Sequence, residues 1–223
     1  MTDDPASVKP VRRSSSNRSG HREQRRAALV QAAMRAIRQH GPDVAMDDIA
    51  AEAGVSKPIL YRYFLDKGDL YMAVSEAATE QLRAVLLPGL NSEVDPRTLL
   101  RAVIEAYLTF IECEPELYRF VVRRSFTDRP LPRDPVTTNA ALIAGALATI
   151  FADQLRSLGL DPGGARTWAY AGVGMVQAAG DWWLQERTLS REQLRDYLLM
   201  MAWGALDAIL RAGGSPARML DSS

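Results

Sequence analysis

Met46-Asp-Asp-Ile-Ala-Ala-Glu-Ala-Gly-Val-Ser-Lys-Pro-Ile-Leu-Tyr-Arg-Tyr-Phe64 is the stretch that decides the fold. Ala50 is small, Gly54 follows four residues later and Leu60 six after that. The small residue lets a second helix cross closely over the first. Glycine supplies the positive φ of a tight turn, and Ile49, Val55 and Leu60 lock the crossing with apolar contacts. The spacing predicts a short helix over Met46–Ala53, with Asp47 and Asp48 in a first turn where the macrodipole favours them. A break follows at Gly54-Val55, and Ser56 is placed to cap a third helix. Pro58 falls in that helix's first turn, where its missing N–H costs nothing. The pattern is a helix-turn-helix, whose second helix lies in the major groove of DNA while the first crosses the backbone.

The exposed side of Lys57–Tyr63 suits such a task. Lys57 stands at the helix N-terminus, within reach of base edges or phosphates. Tyr61 and Tyr63 offer hydroxyls to phosphate oxygens, Arg62 suits either target, and Lys67 adds a charge at the next helix start. An ordinary αα-corner with solvated Lys and Arg fits the same spacing.

Upstream, Val30, Ala33, Met34 and Ile37 follow the helical period from Arg22 onward, and Gly41-Pro42 stops the helix. Residues 1–20 are rich in Ser, Arg, Pro and Asp and are expected to form a flexible basic arm. Residues 1–40 hold nine Lys or Arg against three Asp or Glu, a net +6 in a chain of net zero, so the remainder carries −6. A basic end on an acidic chain points to a polyanion, and a solvated tail fits the same charge. Such an arm would add minor-groove contacts or steer encounter through salt-sensitive charge.

Downstream, a long helix is expected from Asp66 to about Leu87, ended by Pro88-Gly89. Asp69 is at N3, and Leu65 and Leu70 stand at the positions of a hydrophobic staple. Further helices are expected over Arg97–Glu112, Glu116–Phe126, Pro135–Leu158, Pro162–Arg187 and Arg191–Arg211. Ser190 with Gln193 forms a capping box for the last. No strand alternation is visible, so the fold class is all-α with about nine helices. The expected organisation is an arm at 1–20, a helix-turn-helix domain at 21–67, a helical bundle at 68–212 and a flexible tail at 213–223.

Composition narrows the function classes. With 223 residues, 47% hydrophobic and 24% charged, the chain is ordinary for a folded protein with a real core. The lone Cys113 rules out an intramolecular disulfide, and with only His21 and His40 no Cys/His metal site is expected. Gly172-Val-Gly174 lacks the third glycine of a phosphate loop. No catalytic residue or cofactor is therefore expected. MTDDPASVKP contains no apolar stretch of the secretory kind. The run Ala140–Ala152 is too short for a bilayer, which takes about 20 residues. A soluble, cytoplasmic protein without membrane contact is expected.

Gly54 to Phe64, preceded by Met46 to Ala53, resembles the DNA-binding segment of TetR-type transcriptional repressors. The Arg-rich first helix and the long helix opening at Lys67 to Leu70 resemble that family as well, so the likeness covers roughly residues 22–72. It implies a sequence-specific regulator, released from a palindromic operator in double-stranded DNA by a small hydrophobic effector. The implied DNA contacts are Lys57, Pro58, Ile59, Tyr61, Arg62 and Tyr63, with Lys67 on a phosphate. One departure is Ala45, where the family often has a capping Ser or Thr. The competing reading is a helical small-molecule-binding or interaction protein without specific DNA binding.

The resemblance further implies a C-terminal bundle that forms a homodimer through its last two helices and holds the effector. Gly172, Gly174, Ala178, Ala179 and Gly180 on one helix fit close approach, with Leu194, Leu198, Met201, Ala205 and Ile209 on the other. Both stripes also fit an intramolecular core. Two-fold symmetry would place the recognition helices about 34–36 Å apart, or further for a longer site. Candidate ligand-pocket residues are Tyr107, Phe110, Phe120, Trp168, Met175 and Trp182, with Phe126 and Trp183 as further aromatics. Arg123 and Arg124 would favour an anionic ligand if one faced inward. Phe110-Ile-Glu112, Leu117 to Phe120 and Trp203-Gly204 resemble actinobacterial regulators that sense acyl-CoA or other lipids. Regulation would pass through helix four.

Overall fold

A computed structural model describes residues 14–86, 95–122 and 135–215, with side chains placed from residues 20 and 140 in the first and third segments. Among the described residues there are nine α-helices and no strand. They are α1 (Ser14–His40), α2 (Met46–Glu52), α3 (Lys57–Tyr61), α4 (Lys67–Leu86), α5 (Pro96–Cys113), α6 (Pro115–Val122), α7 (Pro135–Ser157), α8 (Ala165–Glu186) and α9 (Arg191–Arg211). The all-α expectation holds. Residues 1–13 of the expected arm, the Pro88-Gly89 break, Arg123, Arg124, Phe126 and residues 216–223 lie outside the described residues.

Two apolar clusters organise the chain. In the first, Met34 and Ile37 of α1 meet Ile49 and Ala50 of α2, Leu60 of α3 and Val74 of α4. Leu117, Phe120 and Val121 of α6 close this core, which therefore draws on residues well beyond 67. The Tyr71 and Phe120 rings meet at a tilt with centroids 5.3 Å apart, and the Tyr71 hydroxyl donates to the Val121 carbonyl at 2.7 Å. In the second cluster, Ile104, Leu108 and Ile111 of α5 meet Trp183 and Leu184 of α8 and Leu194, Leu198 and Leu199 of α9.

Several local expectations are corrected. α1 begins at Ser14, inside the stretch expected to be arm, because each residue added to a nucleated helix gains a hydrogen bond. Ser56 is the N-cap of α3 but its side chain makes no capping bond. Pro58 in the first turn supplies part of the start signal instead. The Leu65–Leu70 staple does not form, since Leu65 is 91% exposed. Asp66 and Asp69 hold that corner: Asp66 accepts the Asp69 N–H at 2.8 Å, and Asp69 accepts the Leu65 N–H at 3.0 Å. The Ser190–Gln193 capping box is present in both directions.

Candidate nucleic-acid interface and internal cavity

The helix-turn-helix is built as its spacing demands. Ile49, Ala50 and Leu60 are buried, and Gly54 takes φ +63° in the turn. The Val55 N–H donates to the Ala50 carbonyl at 3.0 Å, tying the turn to α2. Ala45 gives α2 no side-chain cap, and Asp48 accepts the Ala45 N–H at 3.3 Å instead. Arg26 of α1 fixes the corner between α3 and α4. It lies 2.8 Å from Asp69 and 4.7 Å from the centre of the Phe64 ring.

This framework presents a polar outer face. Lys57, Pro58, Tyr61 and Arg62 are exposed, while Ile59, Tyr63 and Lys67 are half-buried. The helix ends at Tyr61, so Arg62 and Tyr63 stand in the turn beyond it instead of on the expected longer helix. Their N–H groups donate to the Ile59 and Leu60 carbonyls, which keeps them on the same surface. Lys57 is paired with Asp47 at 2.9 Å. That hydrogen bond and charge raise its pKa above the ordinary lysine value. Sequence reading placed Asp47 only at a helix start and missed this pairing, which the ten-residue separation across the turn conceals.

The second feature is a cavity of about 500 Å³ walled by α4, α5, α7, α8 and α9. That size suits a drug-sized or lipid-like molecule. Leu82 and Leu86 come from α4, Val103, Ile104 and Tyr107 from α5, and Ile143, Leu147, Ile150 and Phe151 from α7. Trp168 and Met175 on α8 face Met201, Leu206 and Ile209 on α9, and Gln154 and Gln177 contribute amides. Phe151 and Trp168 meet edge to face at 5.8 Å.

Of the six candidate pocket residues, Tyr107, Trp168 and Met175 line this cavity and the others do not. Phe120 is buried in the first core against Tyr71. Phe110 packs on the α5 cluster, and Trp182 is 46% exposed on the outer face of α8. Trp183 is a core residue whose indole N–H donates to the Leu189 carbonyl at 2.8 Å. Helical spacing shows that an aromatic shares a face, not what covers that face. The α7 contribution was legible only as a buried apolar run, and those of Leu82 and Leu86 were missed because they follow the motif-bearing part of α4.

The two stripes assigned to a dimer face are also divided. Leu194 and Leu198 pack against α5, and a Cβ on Gly180 would stand 2.9 Å from Ile111 Cδ1 and 3.0 Å from Tyr107 Cε1. Those three positions serve the chain's own core. Met201, Ala205 and Ile209 border the cavity. Gly174, Ala178, Met201 and Ala205 of those stripes are exposed, and Tyr170, Trp182, Tyr197 and Met200 add further exposed apolar surface on α8 and α9.

Behind the cavity wall lies a polar chain that sequence reading missed. The Tyr107 and Tyr118 hydroxyls are 3.0 Å apart, and Tyr118 donates to Asp181. Burial pushes both phenol pKa values upward, so both hydroxyls keep their protons. A carboxylate at 181 inside the apolar run of α8 was the available signal. Among the described residues no cluster of three or more His, Cys, Asp or Glu could hold a metal, and no helix is long and apolar enough to cross a membrane.

Residues 29–74 match the family model described as bacterial regulatory proteins of the tetR family, and residues 85–218 match the tetracyclin repressor-like C-terminal domain. An uncharacterised helix-turn-helix-type transcriptional regulator of Mycobacterium tuberculosis is 39% identical over 196 residues, covering 87% of this chain and 82% of that protein. The transcriptional activator FasR of Mycolicibacterium smegmatis is 30% identical over 198 residues, covering 86% and 89%. Among solved structures, the Bacillus subtilis regulator FadR in complex with stearoyl-CoA superposes with a TM-score of 0.62. It is 17% identical, with 79% of this chain and 96% of that one covered.

Proposed function

This chain belongs to the TetR family of transcriptional regulators, and we propose that it is a homodimeric repressor released from a palindromic operator by a long-chain acyl effector. It regulates transcription through its helix-turn-helix. In the proposed reading, Tyr61 and Lys67 hold phosphates while Lys57 and Arg62 meet base edges or phosphates. Pro58, Ile59 and Tyr63 shape and complete that surface. Lys57 exchanges Asp47 for DNA, which is inexpensive between exposed groups. The exposed Trp182, Tyr197 and Met200 supply the self-complementary apolar surface of a two-fold dimer.

The observation that carries the regulatory part is that α4 belongs to both sites. Lys67 at its start adjoins the recognition helix, and Leu82 and Leu86 near its end line the cavity. A ligand that prefers one α4 position changes operator affinity by its differential affinity for the two states. The apolar wall and its volume support an acyl chain, and the same fold holds stearoyl-CoA in the Bacillus protein.

Fluorescence-anisotropy titration against DNA from the upstream region of its own gene, at two salt concentrations, tests this reading. Saturable binding that survives competitor DNA is expected, followed by release on adding oleoyl-CoA or oleic acid. Binding unaffected by acyl compounds would overturn the effector class. Only weak binding that vanishes with salt would overturn operator recognition in that region.

A further inference from the structure

Two walls of the cavity are ordered rows of side chains. On α7, Ile143, Leu147, Ile150 and Gln154 line it at steps of four, three and four residues. On α8, Ala169, Val173 and Gln177 do so at two steps of four. Such steps set each group along one face of its helix. Both rows are apolar until their C-terminal end, and there each closes on a glutamine. The two helices lie side by side, joined by residues 158–164, and a connection that short makes the neighbours antiparallel. The glutamines therefore stand at opposite ends of the shared wall. Phe151 meets Trp168 edge to face, which sets Gln154 near the start of α8. Gln177 is nine residues beyond Trp168 on α8, so an apolar lane of about 13 Å, at 1.5 Å per residue, separates the two.

The chemistry of these two ends selects what fills the lane. Both glutamines are half-buried, and neither side-chain amide makes a hydrogen bond among the described residues. Tyr107, which also borders the cavity, differs in having its hydroxyl bonded to Tyr118. An amide carries two N–H donors and one carbonyl acceptor. An occupant that displaces water from it has to replace those bonds or lose affinity. Being neutral, the amide pairs well with a hydroxyl or an ester carbonyl, whereas an ionised group buried against it would keep most of its desolvation cost. An occupant that is hydrocarbon throughout would leave both amides unsatisfied.

We propose that Gln154 and Gln177 determine effector specificity, and that the effector is an acyl ester or thioester bearing a second uncharged polar group, a hydroxyl, toward the far end of its chain. One amide holds the ester carbonyl, the other holds the hydroxyl, and the chain between them lies against Leu147 and Val173. The inference rests on the acyl-effector reading above and narrows it to a chain that is polar at both ends.

The test is calorimetric titration of the full-length protein with two probes, methyl palmitate and methyl ω-hydroxypalmitate. A cavity without a partner for the hydroxyl binds the hydroxylated probe more weakly, because burying that group costs affinity, so the sign of the preference is itself diagnostic. Wild type is expected to bind methyl ω-hydroxypalmitate about 2–10-fold more tightly than methyl palmitate. The double variant Gln154→Leu, Gln177→Leu should reverse that order while still binding methyl palmitate, which shows that it is folded. Of the two single variants, the one facing the hydroxyl should reverse the order, and the one facing the ester should weaken both probes alike. A wild type that prefers methyl palmitate would overturn the proposal. So would a double variant that keeps the wild-type preference. A wild type that binds neither ester, and is not released from DNA by oleoyl-CoA, would instead overturn the acyl-effector reading.

Discussion

The two ends of the molecule are packed in different ways. Around α1 to α4 and α6, side chains such as Met34, Ile37, Leu60, Phe64 and Val74 are fully enclosed in one continuous core. Around α5 and α7 to α9, a smaller buried cluster borders a cavity of about 500 Å³, and bulky apolar side chains remain on the outside of α8 and α9. A recognition helix has to be held at one angle to fit a groove, which dense packing provides. In the proposed reading the bundle receives a ligand and a second copy, and so has to leave space and surface unfilled. The difference is what the proposed regulation requires: a rigid reader attached to a part whose packing a ligand and a second copy would complete.

Truncation should expose this contrast first. Phe64→Ala is expected to cost about 3–5 kcal/mol and to abolish DNA binding, whereas Met175→Ala, beside an existing void, should cost about 1 kcal/mol less than the 2–5 typical of a filled core. Chemical denaturation of both variants checks the pair, and equal losses would erase the distinction. Gly180→Ala sharpens it within the bundle. The new methyl meets Ile111 and Tyr107, and overpacking of this kind costs about 1–3 kcal/mol.

The Tyr107–Tyr118–Asp181 chain lies between the two regions, because Tyr118 sits on α6 while Asp181 sits on α8. Tyr118→Phe leaves Asp181 without that donor and should cost about 1–3 kcal/mol, read as a lower denaturation midpoint with an unchanged slope. The smallest effect is expected at the surface. Arg38 joins α1 to Glu114 through bonds of 2.7 and 2.9 Å. Both side chains are partly exposed, so Arg38→Ala should cost about 1 kcal/mol or less and be weaker still at high salt.

The reader was far more legible in the sequence than the bundle. Small Ala50, Gly54 in its turn and buried Leu60 follow from rules that act over a few residues. The stripe Val30, Ala33, Met34 and Ile37 names its own buried face. Failures within the reader were local competitions. Phe64 took the buried place, leaving its neighbour Leu65 in solvent, and paired aspartates replaced a staple. In the bundle, period alone could not say whether an apolar stripe meets another helix, a void or a second chain. Phe120 and Tyr107 look alike in sequence, yet one fills the reader's core and the other lines the cavity. That assignment depends on α6 folding back against α1 and α4, a contact between residues far apart in the chain.

The most direct test of the account is anisotropy titration of the variant Lys57→Ala, Tyr61→Phe against the upstream duplex, alongside wild type and at one fixed salt concentration. Both substituted residues are exposed, so thermal stability should stay at the wild-type value. The account predicts specific affinity at least tenfold lower, consistent with losing about 1–3 kcal/mol of contact. Wild-type affinity and specificity in that variant would contradict the assignment of α3 as the surface that reads DNA.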